Sequence, residues 1–244
     1  MAGDRRQTTW LVVGASRGIG HEFVNQLLAR GDVVYATVRK DAASFWPEAQ
    51  EQGRCKVFIC DIVEQQSIDS FVADLAGLQG IAIDHVIVNA GVLKYPNRAT
   101  EMSFDEFAFH LNTNTIGPII CAQKLLKAGI PIGAITFISS DSGSAQCFRE
   151  MEDGFAAYAA SKAALNQALR HMAVELKRKG EKTVILALHP GEVKTEMANV
   201  DLGWAVEGQM TPSESVEACL KVIESKGVED SGTFWTWENK TYPW

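Results

Sequence analysis

Short apolar runs rich in β-branched residues recur along this chain at 9–13, 33–38, 56–60, 84–89, 134–139 and 183–188, separated by longer helical patterns around 19–30, 64–79, 103–127 and 155–179. This alternation is what most constrains the fold. Strand, helix and strand in succession predict crossover units that join parallel strands, and near-continuous apolarity within each run predicts a sheet covered on both faces. A last short strand is expected around Thr233-Phe234-Trp235. The result is an α/β class chain: a doubly wound parallel sheet of about seven strands in three α/β/α layers. No Pro/Ser-rich linker, repeat or low-complexity block interrupts the pattern. With 244 residues and 46% hydrophobic content, one domain over 1–244 is the simplest organisation.

Charge and cysteine usage exclude several classes of partner. Lys and Arg total 23 against 30 Asp and Glu, a net charge of −7 without a basic block, so nothing attracts a nucleic-acid backbone or an anionic membrane surface. The N-terminal Met1-Ala2-Gly3-Asp4-Arg5-Arg6-Gln7 runs into a short strand without the apolar core of a signal peptide, and no apolar run is long enough to span a bilayer. A cytoplasmic protein is expected. Cys55, Cys60, Cys121, Cys147 and Cys219 are scattered, with no Cys-x-x-Cys pair and no His at ligand spacing, so neither a disulfide framework nor a metal site is expected. Asn239-Lys240-Thr241 fits a glycosylation pattern that matters only in a secreted chain.

The first apolar run leads into Gly14-Ala15-Ser16-Arg17-Gly18-Ile19-Gly20 and then a helical pattern through Phe23, Val24, Leu27 and Leu28. Strand, glycine-rich turn and helix in this order aim backbone N–H groups and a helix N-terminus at a phosphate, the arrangement of a Rossmann-type fold. The spacing Gly-x-x-x-Gly-x-Gly departs from the common Gly-x-Gly-x-x-Gly, and the Gly-Lys-Ser/Thr ending of a triphosphatase loop is absent.

Tyr158 and Lys162 lie four residues apart in Tyr-Ala-Ala-Ser-Lys, inside a stretch of good helix formers, so they share one helical face. An ammonium beside a phenol favours the phenolate and lowers its pKa, which suits Tyr158 to proton transfer. Ser139 and Ser140 end the run Ala134-Ile135-Thr136-Phe137-Ile138, which delivers them to the carboxyl edge of the sheet, where open α/β sheets bind ligands.

The glycine turn, Asn89-Ala90-Gly91, Asn114-Thr115-Ile116-Gly117, Ser140, Tyr158 with Lys162, and Pro190-Gly191-Glu192-Val193-Lys194-Thr195 follow one another in fixed order. In that order the chain resembles the short-chain dehydrogenase/reductase family over roughly 8–240. Val38-Arg39, His189-Pro190-Gly191 and the tail from Ser231-Gly232-Thr233-Phe234 to Tyr242-Pro243-Trp244 make it most similar to the C-factor group.

The resemblance implies an NAD(P)-dependent oxidoreductase in which Asn114, Ser140, Tyr158 and Lys162 are catalytic. Cofactor contacts are implied at Gly14, Ser16, Arg17, Gly18, Ile19, Gly20, Asp61, Ile62, Asn89, Ala90, Gly91, Tyr158, Lys162, Pro190, Gly191, Val193 and Thr195. Asp61-Ile62 would lie beside the adenine, and Asn114 would position a water next to Lys162. Charge selects the cofactor: after Tyr35-Ala36-Thr37-Val38 come Arg39 and Lys40 with no acid before Asp41, and Arg17 sits in the glycine turn. Arginine attracts the 2′-phosphate that a carboxylate would repel, so NADP is expected over NAD.

Three departures from the family pattern stand out. Val13 replaces the usual Thr before the first glycine, removing a turn-stabilising hydrogen bond, and Glu192 puts a carboxylate near the nicotinamide where an apolar or aromatic residue is common. The long segment between Ser140 and Tyr158 carries Arg149, Glu150, Glu152 and Asp153 beside Phe148, Met151 and Phe155, and could form a lid or block a subunit interface.

The expected function is NADPH-dependent reduction of a ketone or aldehyde, with Tyr158 as general acid. The substrate's apolar body would face 141–155 and Met197, Trp204, Val206 and Met210. Two alternatives stay open: an alcohol dehydrogenase acting oxidatively with the same residues, and a nucleotide-binding signalling protein like C-factor. The family resemblance also implies a homo-oligomer.

Overall fold

The computed structural model describes residues 6–150, 152–200 and 208–244. Seven parallel strands form one sheet: β1 (Thr9–Val13), β2 (Val33–Val38), β3 (Cys55–Ile59), β4 (Ile83–Val88), β5 (Ile132–Ile138), β6 (Val184–His189) and β7 (Thr233–Thr236), in the order β3-β2-β1-β4-β5-β6-β7. The doubly wound sheet expected from the alternating runs is present, with small shifts at the strand starts.

Helices cover both faces. They are α1 (Gly18–Ala29), α2 (Pro47–Glu51), α3 (Gln65–Ala76), α4 (Phe104–Leu111), α5 (Gly117–Lys127), α6 (Ala156–Arg178) and α7 (Pro212–Glu224). The single helical stretch expected over 103–127 is divided by a π-helical turn, Asn112–Ile116, between α4 and α5. α7 was not expected from the apolar pattern. It begins with a reciprocal capping box in which Thr211 Oγ1 accepts from the Glu214 amide and Glu214 accepts from the Thr211 amide.

β1 shows why the sheet is buried on both faces. Leu11 and Val13 pack with Phe71, Leu125, Phe137 and Leu165 under α3, α5 and α6, while Trp10 and Val12 pack with Phe23, Leu27, Val216 and Leu220 under α1 and α7. Alternate residues of a strand point to opposite faces, so one apolar run serves two cores. Each fully buried side chain such as Phe23 or Phe137 contributes roughly 1.5–3 kcal/mol relative to exposure.

Parallel strands end on the same edge. The order reverses between β1 and β4, and at that switch point the carboxyl ends of β1, β2, β4, β5 and β6 open into a cleft. Among the described residues, no helix is long and apolar enough to cross a membrane.

Candidate active site

The cleft has a volume of about 1100 Å³. Every residue expected to take part in catalysis or cofactor binding lines it, except Gly20 and Asn114, which are buried behind the wall. Trp204 and Val206, expected in the substrate pocket, lie outside the described residues, as does Met151.

At the β1 end, Gly14 has φ +88°, and a Cβ there would fall 2.7 Å from Ala90 Cα. Only glycine lets the turn approach Asn89-Ala90 so closely. The two segments are then bonded: the Asn89 and Ala90 amides donate to the Val13 carbonyl at 2.9 and 3.0 Å, and Asn89 Nδ2 donates to the Gly14 carbonyl at 2.8 Å. The hydrogen bond that Val13 forgoes is supplied from the next strand, where Thr37 Oγ1 accepts from the Gly14 amide at 3.0 Å. That compensation lies 23 residues away in sequence and was not anticipated.

Arg17 lies at the start of α1, paired with Glu196 at 2.5 Å across the mouth of the cleft. Arg39 follows β2 and is exposed. Asp61 and Ile62 follow β3, and Asp61 Oδ1 accepts from the Val63 amide at 3.2 Å. A Cβ on Gly117 would meet the Ile62 carbonyl oxygen at 2.2 Å, so the glycine of Asn-x-x-Gly admits this segment against the start of α5.

Asn114, in the π-helical turn, is fully buried. Its Oδ1 accepts from the Val92 amide at 2.7 Å, while Nδ2 donates to the Val92 carbonyl at 2.9 Å and to Ser161 Oγ at 3.0 Å. Ser161 Oγ in turn donates to the Tyr158 carbonyl at 2.7 Å. The asparagine thus ties the strand-4 exit to the turn of α6 that carries Tyr158 and Lys162. Ser161 is the linking residue that sequence reasoning passed over.

Ser140 lies two residues beyond β5 and faces Tyr158, with which it shares a hydrogen bond. The neighbouring Ser139 Oγ donates to Asn166 Oδ1 at 2.6 Å, and Asn166 Nδ2 donates to the Gly143 carbonyl at 3.2 Å, clamping this turn to α6. Burial pushes the Tyr158 phenol above its usual range, the Ser140 hydrogen bond pulls it down, and Asp141, Glu192 and Glu152 push it further up. The lysine effect expected from the four-residue spacing is not what governs the phenol here. Lys162 Nζ sits 5.8 Å from the ring centroid and donates to the Ile138 carbonyl at 2.9 Å, and burial lowers its own pKa to about 8. Both groups are desolvated, and desolvation disfavours the charged form of each.

A charged cluster adjoins Ser140. Arg149 NH1 pairs with Asp141 Oδ2 at 2.7 Å, and its NH2 with Glu152 and, at 3.5 Å, with Glu192. The Asp141 amide donates to His189 Nδ1 at 3.3 Å, and burial lowers the His189 pKa, so this imidazole is neutral. Of the apolar residues expected in the substrate pocket, Phe155 and Met197 line the cleft and Met210 does not, and the 141–155 segment adds Arg149 and Glu152 to the same wall.

Beyond β6, Ser215 Oγ of α7 donates to the Pro190 carbonyl at 2.7 Å, and Val193 bridges Met210 in parallel. Among the described residues, no group of three His, Cys, Asp or Glu side chains is placed to hold a metal ion.

Residues 8–204 match the family model described as short chain dehydrogenase. An uncharacterized oxidoreductase of Schizosaccharomyces pombe is 31% identical, over 96% of this chain and 97% of its own length. C-signal of Myxococcus xanthus is 31% identical over 66% of this chain and 93% of its own length. Among solved structures, the NADPH-bound carbonyl reductase from chicken fatty liver aligns at a TM-score of 0.85 with 30% identity, covering 98% of this chain and 100% of the other.

Proposed function

Because the chain belongs to the short-chain dehydrogenase/reductase family and is an NAD(P)-dependent oxidoreductase, we propose that it reduces a ketone or aldehyde to an alcohol, with NADPH as its cofactor. The observation that carries this reading is the convergence of Ser140, Tyr158 and Lys162 on one cleft, with Asn114 buried behind its wall.

The residues fit a dinucleotide. The Gly14 turn is pressed against Ala90 and leaves its edge free of side chains, and Arg17 and Arg39 stand at the cleft without a carboxylate at the end of β2. The NADPH bound by the carbonyl reductase from chicken fatty liver supports the 2′-phosphate form. When bound, NADPH supplies the hydride.

Tyr158, protonated at neutral pH because burial holds its pKa up, donates a proton to the carbonyl oxygen. Ser140 donates a hydrogen bond to that oxygen as negative charge develops. Lys162 carries its charge below about pH 8 and is fixed to the Ile138 carbonyl at the cleft, where it would hold the ribose of the bound cofactor. Asn114 and Ser161 set the turn of α6 on which both residues depend. A pure binding module has no use for this proton-transfer set.

Tyr158→Phe is the test. NADPH consumption with a panel of ketones, aldehydes and quinones should fall at least a hundredfold while NADPH binding stays near that of the parent. Comparable turnover in the variant would sink the reading.

A further inference from the structure

The Arg149 cluster is unevenly satisfied. One guanidinium faces three carboxylates, and the adjacent His189 is neutral, so the cluster carries a negative excess beside Ser140. Asp141 is nearly buried and also meets Ser140 Oγ at 3.2 Å and the Ser142 amide at 2.9 Å. Glu152 also accepts from Ser142 Oγ at 3.1 Å. Glu192 is different: among the described residues, its carboxylate has only the Arg149 contact, at 3.5 Å, and its side chain is 43% exposed on the cleft that holds Ser140 and Tyr158.

Glu192 therefore lacks a strong partner, while partial burial and the neighbouring Asp141 and Glu152 act against its charge. A cationic group entering the cleft would supply the missing partner and offset the repulsion from Asp141 and Glu152. An anion would not find an equivalent partner in Arg149, whose guanidinium is already engaged by Asp141 and Glu152, and it would add to the negative excess. Phe155, Val193 and Met197 offer apolar surface in the same cleft for the rest of such a molecule.

We propose that Glu192 is a specificity-determining residue that selects carbonyl substrates bearing an ammonium or guanidinium group near the reacting carbonyl, over neutral and anionic analogues. This rests on the reductase reading above.

The test uses three ketones of one skeleton, ending in an ammonium, a methyl group or a carboxylate. kcat/KM is measured with NADPH for the parent enzyme, Glu192→Gln and Tyr158→Phe. The parent should prefer the ammonium ketone over the neutral one by roughly tenfold, as one partly screened ion pair allows, and should disfavour the carboxylate. Glu192→Gln should remove most of that ratio, and 0.5 M salt should narrow it in the parent but not in the variant. Equal losses on all three ketones, or a preference for the carboxylate, would overturn the assignment. NADPH binding by fluorescence reports whether the variant is folded. Tyr158-dependent turnover with no charge preference removes Glu192 from the account and leaves the reductase standing. Reduction that does not depend on Tyr158 fails both.

Discussion

Lys162 Nζ donates to the carbonyl oxygen of Ile138 at 2.9 Å, so the one ammonium of the proposed catalytic set is fastened to the end of β5 rather than turned onto the phenol of Tyr158. A lysine in that position is nearly buried, and its pKa falls to about 8 from the ordinary 10.5.

The sign of the consequence for stability follows from proton binding. Between about pH 8 and 10.5 the unfolded chain keeps a proton at this lysine that the folded chain has released, so the contribution of Lys162 to stability rises with pH across that window. Below pH 8 both states are protonated and the contribution is flat. Lys162→Met should remove a rise of at most about 3 kcal/mol, seen as the difference between parent and variant in urea unfolding of the cofactor-free protein at pH 7.5 and pH 10. Identical pH dependence in the two proteins would mean that the folded lysine keeps its ordinary pKa.

Arg39 governs the choice of cofactor in a second prediction. Among the described residues it makes no ion pair, whereas Arg17 is engaged with Glu196, so Arg39 is the freer cation for a 2′-phosphate. Arg39→Ala should weaken NADPH binding about tenfold or more and leave NADH binding nearly unchanged, as calorimetry with each nucleotide would show. A uniform loss for both nucleotides would place Arg39 elsewhere than on the 2′-phosphate.

What the sequence made legible, and what it did not, divides along physical lines. The central strands could be read because they are buried on two faces and so are largely apolar, as Trp10-Leu11-Val12-Val13 shows, while the edge strands β3 and β7 keep exposed or half-buried positions. The position of Ser140 followed from the strand just before it. α7 carries Val216, Leu220 and Ile223 along one face and Thr211 with Glu214 as its cap, but Ser215, Glu217 and Lys221 interleave with them and dilute its apolar pattern. The π-helical turn at Asn112–Ile116 has no local signature. It is held by Asn114 on Val92, by Thr115 Oγ1 donating to the Ser161 carbonyl at 2.7 Å, and by Gly117 against Ile62, all contacts remote in sequence. Spacing placed Tyr158 and Lys162 on one helical face correctly, but spacing fixes where a long side chain begins and not where its charge ends. The charges of the 141–155 segment were visible, while their partners were not: Asp153 goes to Arg98 at 2.7 Å and Glu152 to Arg149.

Thr37 tests the clearest of these remote compensations. The amide of Gly14 opens the turn proposed to receive a phosphate, and in this chain its acceptor is Thr37 Oγ1 on β2, because the Val13 side chain offers none. Thr37 is almost fully buried, so Thr37→Val keeps the shape of the side chain and leaves the half-buried Gly14 amide without its protein acceptor. Such an orphan costs about 1–3 kcal/mol, which in a chain of this size lowers Tm by roughly 2–12 °C. The same change frees the first residue of the turn, so NADPH affinity should fall with Tm, whereas Thr37→Ser keeps the hydroxyl and should retain affinity despite losing a methyl group. Thermal unfolding and NADPH titration of the two variants separate the effects. If Thr37→Val unfolds at the parent temperature and binds NADPH as tightly, the Gly14 amide does not depend on this hydroxyl, and the loss at Val13 is made good by some other means.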